Sequence, residues 1–289
     1  MKQTKNNLMF LTAMLIWGSL GVFVTNVELS SQAIVMWRTI IGSVAIGTAM
    51  LFARVKIDWA SVKKNLIFLI ILGACMAASW VCLFEAYRWT TVGTATLMYY
   101  SAPILVFALS PFIFKEKMTL KKIVGMAVAI VGMVVINSVA SNGVNDARGI
   151  FFALLSAVTY ALIMILSKFV KDLSGVQTSF FQLLFASVFM IAYNAATIGF
   201  SPCVPLSQDI PFILILGIVH TGLAIYLYFT SLKTIPTQSA SILSYIDPAS
   251  ALVFSALFLG ESMTLLQLCG ALLILGGTLF ASVKLKKRD

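Results

Sequence analysis

Two stretches of this chain superimpose without a gap at an offset of 145 residues, and one of them has lost its positive charge. Residues 103–137 start at Pro103 and run through KEKMTLKK to Gly125 and Gly132; residues 248–282 start at Pro248 and run through GESMTLLQ to Gly270 and Gly277. Ser110/Ser255, Glu116/Glu261, Met118/Met263, Thr119/Thr264 and Leu120/Leu265 coincide as well. The lysines do not: Lys115, Lys117, Lys121 and Lys122 stand against Gly260, Ser262, Leu266 and Gln267. Basic loops stay on the cytoplasmic side of a membrane, whereas neutral ones cross. A repeat that sheds its lysines in one copy therefore reads as inserted the other way up. Such inverted repeats build transporters that alternate access around a midplane site.

Composition points to the membrane independently of the repeat. Hydrophobic residues are 60% and charged residues 10% of 289, with a mean hydropathy of +1.00. A water-soluble chain of this length cannot hide so much apolar surface. Ten apolar runs approach the ~20 residues of a bilayer-spanning helix: 8–27, 32–53, 66–87, 93–114, 121–139, 149–169, 176–199, 211–231, 238–259 and 265–283. The expected fold is an all-α integral membrane protein with ten transmembrane helices in two inverted five-helix repeats, residues 1–147 and 148–289. The halves meet at the turn-rich string ASNGVNDAR of residues 140–148. Five spans per half is an odd number, which reverses the second copy as the lysine loss requires. The first run has no small-residue cleavage site after it and reads as a retained helix.

Net charge is +10, but its distribution describes topology and not a nucleic-acid partner. With ten spans and an inside N-terminus, 17 of the 20 Lys and Arg residues fall in inside loops and tails. This predicts a multi-pass protein of the cell inner (plasma) membrane with both termini cytoplasmic. Cys75, Cys82, Cys203 and Cys269 show no metal-ligand or CxxC spacing and read as packing residues. No metal and no cofactor is expected. A GxxxxGK[ST] loop is absent. An intramembrane enzyme is disfavoured, because a single His220 cannot supply a two-His metal site and no GxSxG setting exists.

Ionisable residues at bilayer depth are costly and therefore candidates for function. Arg38, in the second span, and Glu85, near the outer end of the third, are placed to pair in an outer vestibule. Arg38 is either a bidentate clamp for a carboxylate or phosphate or a structural tie between helices. Asp247 and His220 fall near the middle of the ninth and eighth spans and form the best proton-coupling pair. Their plainer readings are a backbone cap beside Pro248 and a satisfied core histidine. Trp17, Trp80, Tyr99, Tyr100, Tyr160 and Tyr245 lie within spans, where ring faces can hold an organic cation or stack on a metabolite or can simply pack. Trp17 and Tyr160 occupy comparable points of the two halves. Pro103 and Pro248 interrupt the matching fourth and ninth spans, as cavity-lining hinges or as packing kinks.

The strings VGTATLMYYSAP…KEKMTLKKIVG and PTQSASILSYIDP…GESMTLLQLCG, with MWRTIIG and HTGLAIYLYFTSLKTIP, resemble the drug/metabolite transporter superfamily in its EamA-like ten-helix branch. The resemblance covers nearly the whole chain. It implies a basket of helices one to four and six to nine around a central cavity, with the fifth and tenth peripheral, and often proton-coupled or exchange-type export. The expected function is a secondary transporter of a small metabolite, an amino acid or related zwitterion or amine, by alternating access. Its partners would be that small molecule, protons and membrane lipid, with oligomeric state open. A passive channel or a lipid flippase-like protein is the alternative, separable by counterflow.

Overall fold

A computed structural model describes residues 2–90, 92–138, 146–260 and 264–282. The junction residues 139–145, Glu261, Ser262 and Met263 of the second repeat string, and the basic tail from residue 283 lie outside the described residues. The first half comprises α1 (Lys2–Gly18), α2 (Leu20–Val24), α3 (Ser31–Phe52), α4 (Trp59–Trp89), α5 (Val92–Tyr99), α6 (Ser101–Phe114) and α7 (Leu120–Ser138). The second comprises α8 (Ala147–Leu166), α9 (Gly175–Thr197), α10 (Ile210–Gly217), a π-turn (Ile218–Leu223), α11 (Ala224–Leu232), α12 (Thr237–Leu243), α13 (Ile246–Phe258) and α14 (Leu265–Ser282). Helix covers most of each predicted run within the described residues, with breaks inside the fourth and ninth runs. Among the described residues, seven segments are long and apolar enough to cross a bilayer, while α6 and the Leu265–Ala281 part of α14 are apolar but shorter.

Local chemistry sets the helix ends. Ser30, Asp58 and Asp146 each accept a backbone N–H of the first turn of α3, α4 and α8. Ser174 and Gln177 close a capping box on α9. The Asp58 cap explains why α4 begins at Trp59, earlier than the hydropathy start at residue 66. Ion pairs among the described residues sit at the ends of the bundle: Lys64–Asp172 at one end, Glu85–Arg88 and Asp146–Arg148 at the other. The Arg148 side chain and backbone N–H both bond Asp146 and hold its carboxyl below the usual range.

Helix packing repeats itself under exchange of the halves. The most extensive contact joins α7 to α14, and α3 packs on α9. The α4–α8 contact has its counterpart in α1–α11, and α6–α8 in α1–α13. Small residues allow the close approach that drives association in lipid. A Cβ added to Gly125 would lie 2.7 Å from the Gly277 carbonyl oxygen, and one added to Gly277 would lie 2.7 Å from that of Gly125. Gly132 and Gly270 meet in the same reciprocal way, at 2.5 and 2.7 Å. Glycines at the same two repeat positions thus face one another across an antiparallel helix pair. Between α4 and α8, Ser79 and Ser156 exchange hydroxyl-to-carbonyl bonds of 3.1 and 2.6 Å.

Pro103 and Pro248 are each preceded by a break in the helix. The fourth run divides at Tyr100, between α5 and α6, and the ninth at Ser244–Tyr245, between α12 and α13. The breaks fall about three residues before Pro103 and Pro248, within the turn whose i→i−4 hydrogen bond a proline cannot donate. The two breaks are tied to each other: the Tyr245 hydroxyl donates to the Tyr100 carbonyl at 3.0 Å, joining residues 145 apart in sequence. Replacing Tyr245 by Phe removes this buried bond. The expected cost is about 1–3 kcal/mol, a drop of roughly 2–4 °C per kcal/mol in apparent unfolding temperature. An unchanged midpoint in a detergent thermal-shift assay refutes that role.

Candidate functional site

The half of the bundle that carries the lysines has a closely packed apolar core. Phe10, Met14, Leu69, Leu72, Met164 and Leu232 are at most 1% exposed there. The opposite half encloses a cavity of about 520 Å³ that runs from Thr25, Phe84 and Leu259 down to Tyr228 and Phe229.

Two charged side chains line this cavity, Arg38 and Asp247. Arg38 is 5% exposed on α3. Its Nε donates to Thr221 Oγ1 at 3.1 Å, and its Cζ lies 4.7 Å from the Trp80 ring centroid. One edge of the guanidinium is therefore held and one face covered, a setting that pre-orients the remaining N–H donors. Thr221 belongs to the π-turn, and its hydroxyl also donates to the Leu216 carbonyl at 2.9 Å. A π-turn shifts helical bonding from i→i+4 to i→i+5, frees backbone groups and is frequent at functional positions. Trp17 exploits one of them, donating Nε1 to the His220 carbonyl at 2.9 Å.

Asp247 projects from the first turn of α13, next to the break, with the Tyr100 side chain as its hydrogen-bonding neighbour. Neither Asp247 nor Arg38 belongs to an ion pair among the described residues. Aromatic rings complete the walls. Tyr99 and Tyr160 stack at 5.3 Å and 12°, Tyr99 meets Tyr100 edge-on at 5.3 Å, and Trp17 leans on Tyr228 at 5.1 Å. Gly18, at the α1–α2 break, lets that wall come close: a Cβ there would lie 2.0 Å from Ser250 Oγ and 3.0 Å from the Asp247 carbonyl oxygen.

The structure gathers Trp17, Arg38, Trp80, Tyr99, Tyr100, Tyr160 and Asp247 around one cavity. Other expected residues lie elsewhere. Glu85 does not meet Arg38; it bonds Arg88 at 3.1 Å and the Trp89 indole N–H at 3.1 Å, because partners three and four residues along its own helix are nearer. Tyr245 is 1% exposed and ties the two broken helices together from behind the cavity wall. His220 is not in the lining. Its Nε2 is 3.0 Å from Ser19 Oγ and its ring packs on Phe23 at 4.8 Å. Asp247 and His220 are thus separated by the Gly18–Ser19 corner and do not form a direct pair. Thr221, Tyr228 and Phe229 were not singled out from sequence. A polar His-Thr pair inside the apolar run 211–231 was the available signal for Thr221; for Tyr228 none distinguished it from packing aromatics. No cluster of three or more His, Cys, Asp or Glu that could hold a metal occurs among the described residues.

Known proteins match this chain along most of its length. The EamA-like transporter family matches twice, over residues 4–138 and 147–283. A Bacillus subtilis protein named "Uncharacterized transporter YxxF" is 29% identical over 281 residues, covering 94% of this chain and 88% of its own length. An Archaeoglobus fulgidus "Uncharacterized transporter" is 26% identical over 267 residues, covering 91% of each. A Salmonella typhimurium protein named "Probable amino-acid metabolite efflux pump" is 26% identical over 195 residues, 64% of this chain and 65% of its own. A solved protein crystal structure superposes with a TM-score of 0.82 at 20% identity, covering 96% of this chain and 98% of that one.

Proposed function

The chain belongs to the EamA-like transporter family, and from that premise we propose that it carries a small zwitterion, an amino acid or a related amine, by alternating access. The transporter is a multi-pass membrane protein and not an enzyme. One observation carries the substrate reading: the cavity presents a guanidinium and a carboxylate that are not paired with each other. An α-carboxylate suits the oriented N–H fork of Arg38, and an ammonium suits Asp247 and the surrounding ring faces. A ligand of only one sign leaves the other buried charge uncompensated, which is costly in low dielectric. The Salmonella relative named for amino-acid metabolite efflux supports the same class and an export direction.

Alternation rests on two inverted five-helix units, 1–147 and 148–289. The twofold match of the family, the reciprocal glycine contacts of α7 and α14 and the lysine asymmetry support it. The lysine-rich end is the cytoplasmic one on this reading, both termini lie inside, and the cavity opens outward. Asp247 couples transport to protons, with His220 a bystander at the Ser19 corner. Pro103 and Pro248 act where α5/α6 and α12/α13 must flex.

Counterflow in proteoliposomes tests the proposal. Vesicles preloaded with an unlabelled amino acid should transiently accumulate the labelled one, and a simple amine or a simple carboxylate should exchange poorly. Equilibration with no overshoot for any solute would mean a pore, and exchange of amines and zwitterions at equal rates would remove Arg38 from recognition.

A further inference from the structure

Glu116, in the turn between α6 and α7, reaches from the first half to the start of α12 in the second. Its Oε1 accepts the Thr237 N–H at 2.6 Å and its Oε2 accepts the Gln238 N–H at 3.1 Å. These are two of the N–H groups that a helix start leaves without an internal partner. Gln238 returns the contact by donating Nε2 to the Glu116 carbonyl at 3.4 Å, and it accepts from Lys122 Nζ at 2.8 Å. Lys168 donates to the Ile235 carbonyl just upstream and attracts Glu116. Thr237, Gln238 and, one turn deeper, Ser241 are 1%, 0% and 0% exposed. All of this lies at the closed, lysine-rich end, on the side of the α12–α13 break away from the cavity.

The arrangement is repeated only in part in the sequence at the other end. Glu116 recurs as Glu261, but Lys122 corresponds to Gln267, Thr237 to Val92 and Gln238 to Gly93. A glycine and a glutamine cannot reproduce the lysine-to-glutamine tie. In sequence, the Lys122–Gln238 tie of the lysine-rich end therefore has no counterpart in the inverted copy.

We propose that Glu116 is the latch of the lysine-rich end: its carboxylate holds the α12 N-terminus shut, and release of those two amides opens the cavity to that side. This rests on the alternating-access reading. The Lys122–Gln238 tie, which the sequence of the inverted copy does not repeat, adds to the latch and biases the molecule toward the state open at the lysine-poor end. Opening breaks two charge-assisted bonds in one step, so the latch acts as a unit with the short helix it caps and not through Lys122 alone.

Two single-cysteine reporters in a background without native cysteines test it. Ser241→Cys lies behind the latch, and Thr25→Cys lies at the mouth of the cavity. Glu116→Gln keeps the side-chain shape but can accept only one of the two N–H groups. It should raise the maleimide labelling rate of the Ser241→Cys reporter about tenfold, the scale of one charge-assisted bond, and slow labelling at Thr25→Cys. Lys122→Met, which spares the two amide bonds, should raise the first rate less. Unchanged Ser241→Cys labelling in the Glu116→Gln protein, with counterflow retained, overturns the latch. If both reporters label faster together, Glu116 still closes that end, but the alternation on which the proposal rests is wrong.

Discussion

Asp247→Asn abolishes pH-driven accumulation in proteoliposomes while folding and counterflow at saturating substrate persist. Asparagine has the same shape and still accepts a hydrogen bond from Tyr100, so the α12–α13 break keeps its neighbour. What disappears is a group that can change charge as the cavity alternates. For a carrier moving one proton per substrate, each unit of pH gradient sustains about a tenfold concentration ratio, and the variant should fall to a ratio near one. Exchange needs no net proton movement and continues, with weaker binding where the amine loses its anionic partner. His220→Gln serves as the contrast: its ring faces Ser19 and Phe23 outside the cavity, so accumulation should be largely retained. Undiminished accumulation in Asp247→Asn would remove that carboxylate from coupling, and a collapse confined to His220→Gln would move coupling to the Ser19 corner.

The features that sequence rendered well are those that lipid imposes on every residue of a helix. Spans follow from hydropathy, and the glycines at 125, 132, 270 and 277 advertise backbone contact because little else in a helix justifies them. They meet as reciprocal pairs. Charged residues within spans also led to the cavity, since Arg38 and Asp247 both line it. The misjudged details are local. Glu85 had Arg88 and Trp89 within one turn, a spacing visible in the sequence, yet a long-range partner was expected. The prolines located the broken helices but not the residues where they break, because the hydrogen bond a proline cannot donate belongs to the turn before it. The π-turn at 218–223 has no hydropathic signature: inserting one residue into a helix leaves every side chain apolar enough for the bilayer. With it went Thr221, the residue that fixes Arg38. The latch was legible only as a repeated glutamate. Its partners are backbone N–H groups, which no side-chain pattern records.

Arg38 supplies the sharpest separation of binding from architecture. Arg38→Lys keeps the positive charge and much of the volume but loses the planar fork and the stacking on Trp80. For a zwitterion the half-saturating concentration should rise ten- to a hundredfold, because one or two charge-assisted bonds of about 1.5–3 kcal/mol are weakened. An amine that lacks the carboxylate never used the fork, so its exchange should change little. A purely structural arginine predicts something else: lysine cannot reach Thr221 in the same geometry, the α3 contact with the π-turn loosens, and every solute suffers together with the unfolding temperature. Counterflow of a zwitterion and of its decarboxylated amine, measured beside thermal stability, distinguishes the two. Equal losses for both solutes, with a lowered midpoint, would make Arg38 a tie between helices and leave Asp247 as the one charge that selects substrate.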